Sequence, residues 1–142
     1  MSTAIRVSPP SVWSDEGFPF SQAVVEPEGR RVHLTGQVAW DSAGQIVGSD
    51  DAERQTECAI ENICTILGEL GGCLSDVVSV TMYYVRDADL PAIQRVRIRR
   101  FAKATGPAVT GVKVAGLVDP GLLVELTVAA VIPTARFRVP SN

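Results

Sequence analysis

Between residues 22 and 38 the chain alternates: Val32, Leu34 and Gly36 fall between Arg31, His33, Thr35 and Gln37. That period of two gives a strand one apolar face. Glu26 to Arg30, containing Pro27 and Gly29, reads as a hairpin turn before it, and Asp41-Ser42-Ala43-Gly44 as a turn after it. The period then lengthens. Ala52, Thr56, Ala59, Ile63, Ile66, Leu67 and Leu70 recur at three- and four-residue spacing, the stripe of an amphipathic helix. Asp50 or Asp51 is its expected cap, Glu53 sits in the first turn where the helix dipole favours negative charge, and Gly71-Gly72 ends it. Val77 to Val85 is rich in β-branched and aromatic residues, with Val78, Val80, Met82 and Tyr84 on one face, and reads as a central strand. A second helix is expected from about Leu90 to Ala104, turning Leu90, Ile93, Val96 and Phe101 inward and stopping before Gly106-Pro107. Two strands close the chain, Ala108 to Ala115 and Leu122 to Ile132, separated by Asp119-Pro120-Gly121.

The order β-β-α-β-α-β-β predicts an α+β layer, two helices on one face of one mixed sheet. With 142 residues the chain has the length of one domain, expected at 18–133 between an N-terminal arm (1–17) and a C-terminal tail (134–142). Pro9-Pro10, the serines and Asp15-Glu16 suit an extended arm that Trp13 pins down, and the tail with Arg136 and Arg138 is expected to be a mobile end. The other face of the sheet needs a cover. A hydrophobic fraction of 46% is high for a small protein and points to apolar surface buried between subunits, hence a homo-oligomer.

A net charge of −3 gives no overall drive toward nucleic acid or anionic membrane. No apolar run has the length of a membrane span, and the opening Met-Ser-Thr-Ala-Ile-Arg lacks a signal-peptide core, so a cytoplasmic location is expected. Cys58, Cys64 and Cys73 contain no CxxC pair; reduced, buried thiols are expected rather than a disulfide framework or a metal site. No cofactor is implied.

Four segments carry a resemblance. Pro19-Phe20-Ser21-Gln22-Ala23-Val24, Leu34-Thr35-Gly36-Gln37-Val38, Gly106-Pro107-Ala108-Val109 and Leu123-Val124-Glu125-Leu126, in this order and spacing over residues 18 to 132, resemble the Rid family, the reactive intermediate deaminases also known as YjgF-like proteins. The resemblance implies a chorismate-mutase-like fold, a homotrimer whose sheets form a central barrel, and small-molecule sites between subunits. It also implies hydrolysis of enamines and imines to a 2-oxo acid and ammonia. The sequence departs from the pattern at two points. Val109 stands where active members carry an arginine that clamps the substrate carboxylate, and Phe20 where the archetype has a tyrosine.

Glu125 matches the family's closing-strand glutamate and is the candidate catalytic residue, handling the water that adds to the C=N carbon. Flanked by leucines, it is expected to be partly desolvated; its alternative role is a structural acceptor. Thr35 and Gln37 match the family's Ser-Gly-Gln strand and either line the site or bond structurally. Phe20, Val109 and Trp13 would give an apolar pocket for an aromatic or uncharged ligand, or else seal a subunit junction. Valine forgoes two charge-assisted hydrogen bonds of roughly 1.5–3 kcal/mol each. Lys113 shares Val109's strand parity but lies about 13 Å along the strand, too far to replace the clamp, and is expected to be solvated or ion-paired. His33, the single histidine, has no nucleophile suggested by motif and reads as a surface or interface residue. Arg95, Arg97, Arg99, Arg100 and Lys103 form one basic cluster, which either solvates a helix face or holds RNA phosphates. The leading expectation is an imine- or enamine-processing hydrolase diverged from 2-imino acids. The alternatives are a non-catalytic ligand-binding or partner-stabilising trimer, and an RNA-acting protein, with nucleic acid the less favoured partner.

Overall fold

The computed structural model describes residues 3–141, so the first two positions of the expected arm and the last of the tail lie outside the described residues. Short apolar stretches near the N-terminus form β1 (Ile5–Val7) and β2 (Ala23–Val25), which pair antiparallel as a separate two-stranded sheet. β3 (Arg30–His33), β4 (Val77–Tyr84), β5 (Ala108–Lys113) and β6 (Val124–Ile132) form the main sheet in the order β3-β6-β4-β5. Its β4–β5 pair is parallel and the others antiparallel, so the sheet is mixed as the pattern predicts. The expected hairpin at Glu26–Arg30 does not form. β2 turns back to the arm, where Ile5 lies opposite Val25, while β3 pairs with the closing strand, Val32 opposite Ala130. The arm supplied a strand partner that the polar, proline-rich N-terminus did not advertise.

The helices are α1 (Ala52–Glu69) and α2 (Leu90–Arg100). Asp51 caps α1, its side chain accepting from the Arg54 amide, which satisfies one of the helix's open donors. Ala59, Ile60, Ile63 and Leu67 are fully buried against the sheet, and truncating Leu67 to alanine is expected to cost about 2–5 kcal/mol. α2 is shorter than its pattern predicts: it stops at Arg100, and a single 3-10 turn at Lys103–Thr105 carries the chain to Gly106. Val80, Met82, Val124, Leu126 and Val128 meet the helices in one core. No helix among the described residues is long and apolar enough to cross a membrane.

The C-terminal tail is tied down rather than mobile. Arg136 forms an ion pair with the buried Asp76, with a 3.0 Å contact from Nη1, and also donates to the Gly71 carbonyl. The Arg138 amide donates to Leu70 and its guanidinium to Gly68. The tail therefore covers the carbonyl end of α1, whose last turn has no basic residue of its own and gains two cations where the dipole favours them.

Candidate functional site

The register divides the expected site residues into two groups. Glu125 lies opposite Tyr83 on β4, and Val109 opposite Val80. Paired positions share a face, so Glu125 stands with Tyr83, Thr81 and Thr127 on the face away from the helices. Val109 packs with Val80 against the core. Two strand spacings and three residues separate their backbones, about 14 Å. One chain does not bring them to one small substrate.

Glu125 belongs to the first group. It is half-buried on β6, and its carboxylate folds over Gly36, where an added Cβ would meet Oε2 at 2.3 Å. A side chain here would displace this carboxylate from its seat. The backbone of Gln37 fixes the arrangement by exchanging hydrogen bonds with Leu126 at 2.8 and 3.0 Å. The Gln37 side-chain amide donates to the Thr35 carbonyl at 3.0 Å. Thr35, Gly36, Gln37, Trp40 and Asn62 border a recess of about 450 Å³. Trp40 Nε1 is buried without a hydrogen-bond partner among the described residues.

The second group assembles at the β5 edge. Trp13, Phe20, Ser21, Ser79, Ala108 and Val109 border a recess of about 220 Å³. Its aromatic wall comes from the arm, which several contacts fix in place. The Ser21 amide and hydroxyl donate to Pro107 and Gly106 at 3.0 and 2.8 Å. Lys103 donates to the Asp15 and Phe20 carbonyls at 2.9 Å and pairs with the Asp15 carboxylate at 3.0 Å. A Cβ on Gly106 would lie 2.8 Å from the Phe20 Cα, so the close seat of the arm depends on that glycine. The Ser8 hydroxyl, then Lys103, hold the Asp15 carboxyl below its ordinary value despite burial. Trp13 and Phe18 flank Phe20 at ring-centroid distances of 5.9 and 5.5 Å, separations at which aromatic pairs attract.

Lys113 is ion-paired with Asp87 at 2.9 Å, and His33 is exposed on β3. Cys58 and Cys64 are half-buried and free, their thiols pushed up by burial, whereas Cys73 is exposed. The basic cluster is partly a solvated face, with Arg95 and Arg99 exposed, and partly engaged. Arg99 and Arg100 cross to Glu53, Glu57 and Glu61 of α1, Lys103 is committed to the arm, and Arg97 is buried at 6% exposure. Burial works to raise the Glu57 carboxyl, but hydrogen bonds from Arg99 and Arg100 outweigh it and hold it low. Sequence reasoning missed Arg97, although Ile93, Arg97 and Phe101 recur at four-residue spacing on the inward stripe. It also missed Lys103 as the clasp of the arm, a contact across 83 and 88 residues that no local pattern encodes.

The mixed sheet, its two-helix layer and the glycine-cradled glutamate define an α+β protein of the chorismate-mutase-like fold. The family model described as Endoribonuclease L-PSP matches residues 15–132, and the chain belongs to this family, the YjgF/Rid family. It is 37% identical over 100 residues to the 3-aminoacrylate deaminase RutC of Acinetobacter baylyi, covering 70% of this chain and 77% of that one. It is 36% identical over 113 residues to a RutC family protein of Pyrococcus abyssi, covering 79% and 85%. A Rid-family protein of unknown function from Yersinia pestis, YyfB, superposes with a TM-score of 0.82 at 29% identity, over 92% of this chain and all of that one.

Proposed function

We propose that the protein hydrolyses an imine or enamine whose binding does not rest on an arginine at position 109, as a homotrimer in which one subunit's Glu125 faces the Val109 recess of the next. The observation that carries this reading is the Glu125 carboxylate, seated over Gly36 on the open face of the sheet. An enamine first gains a proton at its β-carbon and loses one from nitrogen, giving the imine. Water then adds across C=N, its oxygen going to carbon and one proton passing through Glu125 to nitrogen; as the C–N bond of the carbinolamine breaks, its hydroxyl proton also passes to nitrogen, giving a carbonyl compound and ammonia. A relative named for 3-aminoacrylate, itself an enamine acid, supports the reaction class. The recess at Val109, bordered by rings, aliphatic groups and hydroxyls, favours a less anionic substrate than a simple 2-imino acid.

The test is ammonia release from a panel of imines generated in place, aromatic and uncharged ones included, with native mass measured alongside. Turnover by a species of three 15.1 kDa chains is expected. No turnover from any panel member, or a monomer as active as the trimer, sinks the proposal. Among the described residues no charged group borders the Val109 recess, which favours a second reading, a trimer that binds a neutral metabolite without turning it over; ligand binding with no ammonia would select it. The RNA reading is the weakest, because α1 carboxylates already neutralise Arg99 and Arg100.

A further inference from the structure

Arg97 differs from the other cations of α2. Arg95 is exposed, Arg99 and Arg100 are paired with carboxylates, and Lys103 holds the arm. Arg97 is 94% buried on the inward stripe, and among the described residues its side-chain hydrogen bond is to the Met82 thioether at 3.6 Å, with no carboxylate in ion-pair range. A thioether is a weak acceptor, and a guanidinium has five donors and keeps its charge in proteins. Buried charge ordinarily comes with a partner of opposite sign, because the desolvation cost is otherwise uncompensated. Burial alone pushes the Arg97 pKa down.

Arg97 is among the residues bordering a recess of about 220 Å³ beside Phe20, with Trp13, Phe18, Phe20, Gln94 and Ile98. Gln94 is three residues before Arg97, so its amide lies on the same helix face. Trp13, Phe18 and Ile98 are 67%, 40% and 50% exposed in the single chain, an apolar mouth. We propose that this recess binds a small planar monocarboxylate of the benzoate type, its carboxylate on Arg97 and Gln94 and its ring against Trp13 and Phe18. Charge selects one carboxylate over a phosphate. Among the described residues Arg97 is the single cation bordering the recess, and the nearby Lys103 is already committed to Asp15 and Phe20. Shape selects a flat body, since the walls are rings. Trp13 and Phe20 also border the Val109 recess, so a ligand here fixes two side chains of that wall.

The inference goes beyond the hydrolase reading, and its test does not use ammonia release. Calorimetric titration of the full-length protein with benzoate, benzamide and inorganic phosphate is expected to show saturable benzoate binding, with benzamide at least about tenfold weaker and phosphate weaker still. Arg97→Met should weaken benzoate at least about tenfold while retaining the fold by circular dichroism, since replacing an unpaired buried charge by an apolar side chain is neutral or stabilising. Trp13→Ala, at an exposed position, should weaken benzoate severalfold, and it serves as the variant if Arg97→Met does not fold. Benzamide binding as tightly as benzoate, phosphate binding more tightly, no saturable heat at millimolar benzoate, or full benzoate affinity in either folded variant overturns the proposal.

Discussion

Glu125 and Val109 belong to the same sheet and are held in different ways. Glu125 is on β6, a strand paired on both sides, and the carboxylate rests on a glycine fixed by reciprocal backbone bonds. Val109 is on the edge strand β5, and the wall beside it is an arm attached by Ser21, Lys103 and the fit to Gly106. A backbone ladder positions a group with little freedom, whereas the arm is held by a few separate side-chain contacts. On the proposed function, Glu125, the proposed water-handling group, sits at the rigid centre, and Val109 and Phe20, the proposed substrate-selecting groups, sit at an edge.

Removing the central group has the largest expected effect. Glu125→Gln keeps shape and a hydrogen-bonding end but cannot accept the water proton, so ammonia release should fall at least about hundredfold while the unfolding midpoint stays within the range of a surface substitution, about 0.5 kcal/mol. Unchanged turnover would show that the centre is scaffold only and would move the chemistry to the edge.

Much of this arrangement was legible before any coordinates. The helical stripe of α1 and the β-branched run of β4 bury one face each, and a buried face leaves a periodic trace. The motifs around Glu125 and Val109 identified the residues but not their separation, because strand register decides which positions face each other, and β4 lies between β5 and β6. The strand pairing of the arm, the attachment of the tail and the burial of Arg97 escaped sequence reading for a related reason. Pro9-Pro10 and the arginines of α2 carry loop and surface signals, while their partners are distant in sequence: Asp15 with Lys103, Asp76 with Arg136, Met82 with Arg97. Local composition does not report such contacts.

At the edge, Val109→Arg places a guanidinium fork beside Phe20. Turnover of a simple 2-imino acid should rise about tenfold or more, as expected for one recovered charge-assisted contact; no gain in a folded variant would mean that edge and centre have diverged together. Loosening the arm is expected to do less. Lys103→Met removes the contacts to Asp15 and Phe20, and the KM should rise up to about fivefold with little change in kcat. Hydrogen exchange in residues 15–21 should quicken. The same loosening is expected in the unaltered protein under acid. The Asp15 carboxyl is held below its ordinary value, so its contribution is present above about pH 4 and disappears as the pH falls through the lowered folded value. A KM unchanged in Lys103→Met would show that the arm is not the weaker of the two attachments.

The smallest effect tests whether charge pairing outside the site matters to either half. Glu57 bridges Arg99 and Arg100 between α1 and α2, with its side chain 28% exposed. Glu57→Gln should lower stability by about 1 kcal/mol or less at neutral pH. Because the two arginines hold the Glu57 carboxyl low against the opposing effect of burial, the stabilisation is fully present above the ordinary glutamate value of about 4.3 and is lost as the pH falls through the lowered folded value. Urea unfolding of the two proteins from pH 7 down to pH 2 should therefore give curves that differ at neutral pH and converge in acid. The difference should shrink in salt, since exposed pairs are screened. If it persisted unchanged at low pH, Glu57 would contribute through packing rather than charge. If Glu57→Gln altered turnover as strongly as Lys103→Met, the helix seam would be coupled to the edge of the sheet.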